Sequence, residues 1–369
     1  MKKVTFFIRS MQGGGAQRAM VRLAGGFADA GYQVEVLTLE PEGSFRSELS
    51  PSVKLTRLGS KRIFGAIPAL ARYMRRERPD VMMVTEPACN IAVIAAKLLS
   101  GGQTRVLIRE GLFPSVAVRE SPHKATRLAY KLAPYLYRHA DVIVAVAGDM
   151  AADLARFARL ERNRVTTIAV NPVVTTTLTE AAAIKPEHPW FSGDIPVVVG
   201  VGRLDRQKDF LTLLKAFERV RQARSCRLVI VGEGPLRGAL ETARGTSAYP
   251  EDIDLPGFVA KPFSYMSHAD VFVLSSRYEG LPNALIEALA CGAPVVSADC
   301  PSGPREILDN GRFGRLTPVG DDKAMADAIL ATLDHPVDRQ ISKARGFDFT
   351  IGNSTALYVK ALFPTPHVS

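Results

Sequence analysis

The chain has 369 residues and a mass of 40.0 kDa, which suggests two domains at about 150 residues each. Apolar residues make up 47% and charged residues 23%, a composition that supports a packed core and excludes a disordered chain. No run of about 18 uncharged apolar residues is present, which excludes a transmembrane helix, and the apolar N-terminal stretch is too short and too charged for a signal peptide. The four cysteines have neither disulfide-scaffold nor zinc spacing, so we expect a cytoplasmic protein.

The positive charge is confined to one half of the chain. The formal net charge is +10, and residues 1–180 hold 26 Lys and Arg against 15 Asp and Glu, a net of +11. Residues 181–369 hold the other 21 basic and 22 acidic side chains, a net of −1. This asymmetry indicates an anionic partner for the first half, either a membrane surface, an acidic substrate or nucleic acid. Since no nucleic-acid-binding motif is recognised, we do not expect nucleic acid.

Short apolar strands and helical segments alternate through the first half. The predicted strands are 4–10, 32–39, 81–84, 104–110, 141–146 and 164–170. The predicted helices are 16–30, 64–78, 88–99, 121–138 and 148–158. Because the strands are apolar on both faces, this alternation favours a parallel sheet with helices on both sides.

The same alternation restarts after a proline-containing segment of low periodicity. The strands predicted there are 195–204, 227–234, 270–276 and 293–298, and the helices are 208–222, 282–290, 303–308 and 354–363. We therefore predict an α/β protein with two Rossmann-like domains that face each other across a cleft. The N-terminal domain covers 1–172, a linker covers 173–192 and the C-terminal domain covers 193–346.

The strongest motif, EGLPNALIE (279–287), joins a strand to a helix. Pro282 stands where the first helical turn begins, a position at which its missing N–H costs nothing. The helix start aims the backbone N–H groups of Leu281 and Asn283 at the strand ends, which makes an anion site. Glu287 lies about two turns along the helix among apolar neighbours, which favours a functional reason for its charge. An ordinary solvated helix residue is the alternative interpretation.

A second motif, VGRLDRQKD (201–209), follows the first strand of the second half. The strand ends at Gly202, and Arg203 and Lys208 precede the next helix. Two cations beside a glycine turn suit a diphosphate, to which Arg203 offers a planar fork and Lys208 a point charge. Two exposed surface cations are the alternative interpretation of this segment taken alone.

A third motif, GGGA (13–16), follows the first strand and opens a helix. A dinucleotide-binding G-x-G-x-x-G would need a third glycine where Arg18 stands, so the match to that pattern is weak. Three glycines also fit a close backbone approach to a phosphate or a sugar.

Together these motifs resemble the retaining glycosyltransferases of family 4, which have the GT-B fold. The resemblance rests on the Glu-x7-Glu spacing, VGRLxxxKD upstream, GEGPLR (232–237) between them and the N-terminal GGGA turn, in this order. It extends from Lys2 to about Phe363 and is tightest over 197–320. CPSGPREIL (300–308) is similar to members that build bacterial lipopolysaccharide, capsule and lipid-linked oligosaccharides.

The resemblance implies that a nucleotide-diphospho-sugar binds to the second domain as a substrate. Arg203 and Lys208 would stabilise the leaving diphosphate, and Glu279 would contact the sugar near its anomeric carbon. These three are the implied catalytic residues. The implied donor-binding residues are Gly14 and Gly15 for the β-phosphate, Gly202, Gly280, Leu281, Pro282 and Asn283 for sugar and phosphate, Phe258 and Val259 for the base, and Glu287 for the ribose.

The acceptor side departs from the family pattern. Many members carry a histidine after a first-domain strand, where this sequence has IREG (108–111), so no general base is identified. Arg109 and Glu110 are the predicted acceptor or sugar contacts, and capping of the loop is the alternative for Glu110. The resemblance also implies that the terminal helix, about 350–363, crosses back onto the first domain, since it is too apolar for an exposed tail.

We expect no cofactor and no metal ion, because cations and a helix N-terminus can stabilise a leaving diphosphate. The six histidines show no metal-ligand clustering. The alternative is a metal site at Asp252 and Asp254, a DxD pattern that binds metal in the other glycosyltransferase fold.

The expected function is that of a retaining, metal-independent hexosyltransferase in cell-envelope polysaccharide or glycoconjugate synthesis. The donor is expected to be UDP-linked and the acceptor a glycan or a polyprenyl- or lipid-linked sugar. The first domain should bind the inner face of the cytoplasmic membrane through basic residues, first of all Lys61, Arg62, Arg72, Arg75, Arg76 and Arg78. An ordinary solvated helix face is the alternative interpretation of these charges. The alternatives are a nucleotide-sugar-binding or membrane-associated protein without turnover, and an epimerase- or phosphorylase-like enzyme on the same fold.

Overall fold

A computed structural model describes residues 1–60, 62–121 and 123–364, so Lys61 of the basic segment lies outside the described residues. The chain divides into two compact units. Unit 1 comprises Met1–Pro172 together with the chain from Ile351 onwards, and unit 2 comprises Val173–Thr350.

Unit 1 is built on one parallel sheet. Its strands are β1 (Lys3–Ser10), β2 (Gln33–Glu40), β3 (Lys54–Arg57), β4 (Val81–Thr85), β5 (Arg105–Glu110), β6 (Val142–Ala145) and β7 (Val165–Thr167). Its first helices are α1 (Gly15–Asp29), α2 (Ile67–Glu77), α3 (Pro87–Ser100), α4 (Pro114–Glu120), α5 (Lys124–Leu136) and α6 (Gly148–Phe157). The strand order β3-β2-β1-β4-β5-β6-β7 reverses beside β1, so the connections from β1 and β4 leave in opposite directions.

Two segments of unit 1 differ from the sequence prediction. The helix predicted near 121–138 is confirmed as α5, but helix α4, which precedes it, was not predicted. Ser121 precedes a proline in the sequence and has extended backbone angles, which ends α4. Strand β3 was not predicted because its four residues, KLTR, are mostly polar and lie at the edge of the sheet.

Unit 2 repeats this plan. Its helices are α7 (Thr176–Ala182), α8 (Phe210–Ala223), α9 (Arg237–Gly245), α10 (Phe263–His268), α11 (Asn283–Ala290), α12 (Pro304–Ile307), α13 (Asp322–Asp334) and α14 (Arg339–Gly346). Its strands are β8 (Val197–Val201), β9 (Arg227–Val231), β10 (Ile253–Gly257), β11 (Val271–Leu274), β12 (Val295–Ala298) and β13 (Arg315–Thr317). These described strands are parallel in the order β10-β9-β8-β11-β12-β13, which reverses beside β8. Two parallel α/β sheets were predicted, and the fold class is confirmed.

The segment 173–192, predicted as a linker, is packed onto unit 2. Helix α7 lies within it and buries Leu178, whose backbone N–H donates to Thr175 Oγ1 at 3.2 Å. The hydroxyl of Ser267 in α10 donates to the carbonyl oxygen of Ala182 at 2.7 Å. This segment is therefore folded against the rest of the unit rather than extended between two domains.

The last described helix, α15 (Ile351–Leu362), belongs to unit 1. Tyr358 and Leu362 are buried in the core that α1 and the sheet enclose. Beyond the helix, the ring of Phe363 stacks on Tyr32 with centroids 5.5 Å apart. The guanidinium of Arg105 donates to the carbonyl oxygen of Leu362 at 2.7 Å, which fixes the end of the helix.

Helices α1 and α15 approach closely at one glycine. A Cβ atom placed on Gly26 would lie 2.2 Å from Thr355 Oγ1 and 2.8 Å from Ile351 Cγ2. On the neighbouring Gly25 the nearest atom would be Ser50 Cβ at 3.7 Å. The packing of the returning helix therefore requires the absence of a side chain at Gly26 but not at Gly25.

We predict that Gly26→Ala lowers the free energy of unfolding by about 1–3 kcal/mol, because the added methyl group overpacks the contact between the helices. Gly25→Ala is the matched control, since it should stabilise α1 by up to about 1 kcal/mol through helix propensity alone. Urea unfolding followed by circular dichroism measures both. Equal effects of the two substitutions would contradict the proposed contact.

Candidate active site

In unit 2 the predicted residues converge on the carboxyl ends of β8 and β11. These two strands are neighbours, with Val271 opposite Val198 and Phe272 opposite Val199. Ligands of open α/β sheets bind outside the carboxyl ends of the strands at the point where strand order reverses. The sequences that follow these strands, Gly202–Asp209 and Ser275–Pro282, contain most of the predicted site.

An ion pair joins the two loops. Lys208 Nζ lies 2.6 Å from Glu279 Oε1, and the hydroxyl of Ser276 donates to the same oxygen at 2.7 Å. The amide of Gln207 donates to Glu279 Oε2 at 3.4 Å. The side chain of Glu279 is 8% exposed and that of Lys208 is 18% exposed. The structure therefore brings these two predicted residues together in a half-enclosed place, held by polar side chains that the sequence analysis did not single out.

Two hydrogen bonds fix the backbone of Lys208, and a glycine makes room for its side chain. Its N–H donates to Asp205 Oδ1 at 3.1 Å, and its carbonyl oxygen accepts from Ser275 Oγ at 2.7 Å. A Cβ atom on Gly202 would lie 3.3 Å from the aliphatic stem of Lys208, so the glycine leaves room for that stem. The lysine is thus held with its ammonium group directed at Glu279.

The motifs VGRL and GEGP interlock at the ends of β8 and β9. The N–H of Gly202 donates to Val231, and the N–H of Leu204 donates to Glu233 at 2.9 Å. A Cβ atom on Gly232 would lie 1.8 Å from the carbonyl oxygen of Gly202, and one on Gly234 would lie 2.4 Å from that of Leu204. Only glycine fits at both places, because the two loops are in backbone contact.

The loop after β12 supports the loop that carries Glu279. Ser302 and Gly303 have left-handed φ values of 72° and 93°. Ser302 Oγ donates to the carbonyl oxygen of Gly280 at 2.6 Å, and a Cβ on Gly303 would lie 2.5 Å from the Cδ of Pro282. The sequence indicated this segment, CPSG, only as a subgroup feature. Its backbone role was not visible because it depends on a contact with a distant loop.

Helix α11 begins at Asn283, one residue later than predicted, with Pro282 as its N-cap. Leu281 is buried, and Gly280 and Glu287 are half-buried. The N-terminus of a helix attracts anions because its first N–H groups point outwards along the helix dipole. Here that N-terminus follows directly from the loop of the Lys208–Glu279 pair.

The other predicted residues of unit 2 lie further out. The side chain of Arg203 is 73% exposed, with its Nε 3.9 Å from Asp205 Oδ2. Phe258 follows β10 and is 75% exposed, and Val259 beside it is half-buried. Both positions are at the carboxyl edge of the sheet, but the structure does not join them to the ion pair.

The carboxylates of Asp252 and Asp254, the alternative metal site, each contact a basic side chain. Asp252 accepts from Arg221 Nε at 2.7 Å, and Asp254 Oδ2 lies 3.0 Å from His188 Nε2. Within residues 1–60, 62–121 and 123–364, no group of three or more His, Cys, Asp or Glu side chains is arranged to hold a metal ion.

In unit 1 the GGGA turn lies at the carboxyl end of β1, where strand order also reverses. Gly13 has φ 129°, and α1 begins at Gly15. The N–H of Gly14 donates to Gln17 Oε1 at 3.1 Å, and Gln17 Nε2 donates to Glu86 Oε1 at 2.9 Å. Glu86 directly follows β4, so this chain of hydrogen bonds spans the reversal point. Neither Gln17 nor Glu86 was predicted from the sequence.

A cavity of about 540 Å³ opens at the same edge of unit 1. Its walls include Arg9, Glu86, Glu110, His123 and Lys124, with apolar side chains between them. Burial raises the pKa of Glu86 above its ordinary range, against the opposing charge of Arg9.

Arg109 is placed differently from the prediction of an acceptor contact. It is 2% exposed, and its guanidinium donates to Tyr358 on α15 at 3.0 Å and to Asn171 at 2.6 Å. The side chain points into the core of unit 1 rather than towards the cavity edge, because the returning helix covers it. Arg109 therefore attaches α15 to β5 through its hydrogen bond to Tyr358.

Glu110 lies on the cavity wall but is almost fully buried. Its carboxylate accepts from Tyr130 at 3.0 Å and from Asn90 at 2.8 Å, and also from the hydroxyl of Tyr137. Burial raises its pKa to about 7, although these hydrogen bonds favour the charged form. Both carboxylate oxygens therefore have protein partners, and the residue ties α3 and α5 to β5.

Glu110 should make the stability of the protein depend on pH. Its pKa is about 7 when folded and near 4.5 when unfolded, so the free energy of unfolding falls as pH rises between these values, by about 3 kcal/mol in total. In Glu110→Gln this contribution disappears. Urea unfolding measures the free energy of unfolding of both proteins from pH 4.5 to 8. This free energy should fall more steeply with pH in wild type than in Glu110→Gln, and an equal pH dependence in both proteins would contradict the prediction.

Two family descriptions match the chain. "Glycosyltransferase Family 4" matches residues 13–170, and "Glycosyl transferases group 1" matches residues 195–335. No described helix is both long and apolar enough to span a bilayer.

Characterised relatives and solved structures agree with these matches. A Campylobacter jejuni N-acetylgalactosaminyltransferase acting on a diphospho-undecaprenol-linked sugar is 27% identical over 93% of this chain and 93% of its own length. The lipopolysaccharide core biosynthesis glycosyltransferase LpsE of Rhizobium meliloti is 28% identical over 95% of this chain and 94% of its own. Anabaena HepE, solved with UDP and glucose, has the same fold, with a TM-score of 0.78 at 17% identity over 99% of this chain and all of that one.

The fold and these matches define a glycosyltransferase with the GT-B fold. The chain belongs to the family 4 type of these enzymes, as the order of its motifs predicted.

Proposed function

We propose that the protein transfers a sugar, with retention of anomeric configuration, from a UDP-linked donor to a glycan or lipid-linked acceptor of the cell envelope. The observation that carries the proposal is the Lys208–Glu279 pair at the strand reversal of unit 2, beside the N-terminus of α11. Similarity to enzymes of lipopolysaccharide core and undecaprenol-linked glycan synthesis supports the acceptor class. Retention is supported by the Glu-x7-Glu spacing of the family.

The chemistry follows from where charge develops. As the glycosidic bond to the diphosphate breaks, negative charge grows on the leaving phosphate oxygen. The ammonium of Lys208 and the α11 N-terminus are preorganised to stabilise that charge, and the exposed guanidinium of Arg203 can swing onto the diphosphate. Glu279 holds Lys208 in place and presents its second oxygen to the sugar. In this scheme the cationic side chains do the work that a metal ion does elsewhere, so no metal is required.

The remaining donor contacts are proposed on the same edge of the sheet. The backbone of Gly202, Gly280 and Asn283 would bind phosphate and sugar oxygens, and Glu287 would bind the ribose hydroxyls. Phe258, exposed beside Val259 after β10, offers a flat apolar surface to the base.

We predict that Lys208→Ala and Glu279→Ala each lower kcat by at least about 10², because each removes a group at the developing charge. Lys215→Ala is the matched control, since this lysine is exposed in α8, outside the two loops that form the site. The assay is transfer or slow hydrolysis with a panel of nucleotide sugars. Near-normal rates in either site variant, with the unfolding midpoint unchanged, would refute the site assignment.

The same assay separates two other points. Turnover in excess EDTA supports the metal-free scheme, and a strict requirement for a divalent ion would overturn it. Binding of nucleotide sugar by the wild type without any turnover would favour a binding protein instead.

We also propose that unit 1 docks on an anionic membrane, on the inner face of the cytoplasmic membrane. On α2, Arg72, Arg75 and Arg76 are exposed on one face. On α5, a stripe at helical spacing alternates cations with exposed apolar side chains: Lys124, Leu128, Lys131 and Tyr135. On such a surface the cations attract lipid phosphates, and the exposed apolar side chains can insert into the headgroup region of the bilayer.

The wild type should sediment with anionic liposomes, and the sedimented fraction should fall as the salt concentration increases, because the attraction is electrostatic. Changing Arg72, Arg75 and Arg76 to Glu should lower the bound fraction at least about tenfold, at up to about 1 kcal/mol for each charge removed and more for its reversal. The control replaces three exposed cations of unit 2, Lys215, Lys261 and Arg312, by Glu. Equal losses in both triple variants, or no wild-type binding, would leave an acceptor in free solution.

A further inference from the structure

The cavity of unit 1 has no assigned ligand, and its position points to one. It lies outside the carboxyl ends of β4 and β5, at the reversal of strand order between β1 and β4, where open α/β sheets bind ligands. Its volume of about 540 Å³ is in the range of small-molecule sites. Its lining mixes charged side chains with apolar ones such as Ile63, Pro87 and Leu112, a combination that suits the faces and hydroxyls of a sugar.

Glu86 is the strained residue of this wall. Its backbone has φ 72° and ψ 131°, a region that side-chain-bearing residues rarely occupy. The ψ value is the one that a following proline imposes, so Pro87 fixes half of this conformation. Backbone strain of this kind costs of order 1–3 kcal/mol, persists only where the surrounding structure enforces it, and is concentrated at functional sites. Here the strain sets the direction in which the carboxyl group leaves the strand.

The carboxyl group is held on one side and open on the other. Oε1 accepts from Gln17 Nε2 at 2.9 Å, and Gln17 is itself fixed by the N–H of Gly14. The contact of Oε2 is a thiol, Cys89 Sγ at 3.8 Å, which is a weak donor. Because a carboxyl oxygen accepts two hydrogen bonds, Oε2 retains capacity for a ligand in the cavity.

The charges around Glu86 also favour a role in binding. Arg9 is the cation that opposes it, and Cys89 is its titratable neighbour on α3. Glu110, His123 and Lys124 face the same cavity from β5 and the start of α5. A half-buried carboxyl group among these groups is a stronger hydrogen-bonding partner than one in water, since the local dielectric is lower.

We propose that this cavity binds the acceptor sugar and that the carboxyl group of Glu86 hydrogen-bonds one of its hydroxyls, positioning the acceptor for transfer. This inference rests on the proposed function and adds a residue to it. Gln17 and Arg9 orient and counterbalance the carboxyl group. Sites built to hydrogen-bond a hydroxyl discriminate strongly against analogues that lack it, because the protein group is then left unpaired. Glu86 would therefore determine which acceptor is used.

The test compares Glu86→Gly and Glu86→Gln with wild type, and uses Glu161→Ala, an exposed carboxylate of the same unit, as the control. Glycine adopts φ 72° without strain, so Glu86→Gly removes the carboxyl group while easing the backbone, and loss of folding is not expected. Two quantities are measured: hydrolysis of the nucleotide sugar without acceptor, and transfer to p-nitrophenyl glycosides of glucose, galactose and N-acetylglucosamine.

We expect Glu86→Gly to raise the acceptor KM or lower the acceptor kcat/KM by at least tenfold, with Glu86→Gln intermediate. Hydrolysis of the donor should fall much less than transfer in all variants, because Lys208, Glu279 and most of the proposed donor contacts lie in unit 2, and only the GGGA turn lies near Glu86. Unchanged acceptor kinetics in Glu86→Gly would overturn the inference, as would an equal loss of donor hydrolysis.

A binding measurement separates failure of this inference from failure of the proposed function. Saturation-transfer NMR with the same p-nitrophenyl glycosides needs no turnover. If the wild type transfers no sugar from any nucleotide sugar, the proposed function fails, whereas weaker glycoside binding by Glu86→Gly than by wild type still supports the cavity. Equal binding by both proteins, or none by the wild type, would overturn it.

Discussion

The carboxyl ends of β8 and β11 lie side by side because the two strands are parallel neighbours in the sheet. The strand order reverses between them, so the connections that follow these strands leave in opposite directions. That divergence opens a crevice between the loops, and in unit 2 the Lys208–Glu279 ion pair bridges it. Breaking this pair is costly, because it would leave either a buried carboxylate or a half-buried ammonium group without an opposite charge. Ser276 and Gln207 supply the further hydrogen bonds that make the pair tolerable. The ion pair thus holds together the loops that follow β8 and β11, and these loops place the pair at the crevice where a ligand can reach it.

The sequence motifs of unit 2 form loops that are in direct contact with one another. VGRL and GEGP are about thirty residues apart, yet their backbones are in contact, with Gly232 against Gly202 and Gly234 against Leu204. CPSG acts in the same way on the loop of Glu279 through Ser302 and Gly303. Motifs that occur together in this order therefore reflect loops that cannot be built separately. The glycines allow close backbone contacts between the loops. These contacts hold the loops rigidly and so keep the charged side chains in fixed positions.

Much of this arrangement could be predicted from the sequence, because apolar runs identify buried parallel strands and glycines mark their ends. The pairing of Lys208 with Glu279 was within reach once both were placed at strand ends. Glu86 was not, since a glutamate before a proline looks like an ordinary turn until its φ of 72° is seen. Arg109 was misplaced for a related reason: its partner Tyr358 is distant in sequence, and a cation at a strand end reads as a ligand contact when the covering helix is unknown. Strand β3 was missed because its four residues are mostly polar and lie at the edge of the sheet, and helices α9, α13 and α14 were also not predicted.

The return of α15 has a consequence for how the chain is made. Unit 1 draws its core from both ends of the sequence, with Tyr358 and Leu362 packed among residues of β1 and α1. Unit 2 is inserted between them as Val173–Thr350, so the ribosome must synthesise all of it before unit 1 can close. At the usual 5–20 residues per second this is a delay of roughly 10–40 s, during which the apolar groove for α15 is open. Unit 1, most of which precedes unit 2 in the chain, can therefore be completed only after unit 2 has been synthesised.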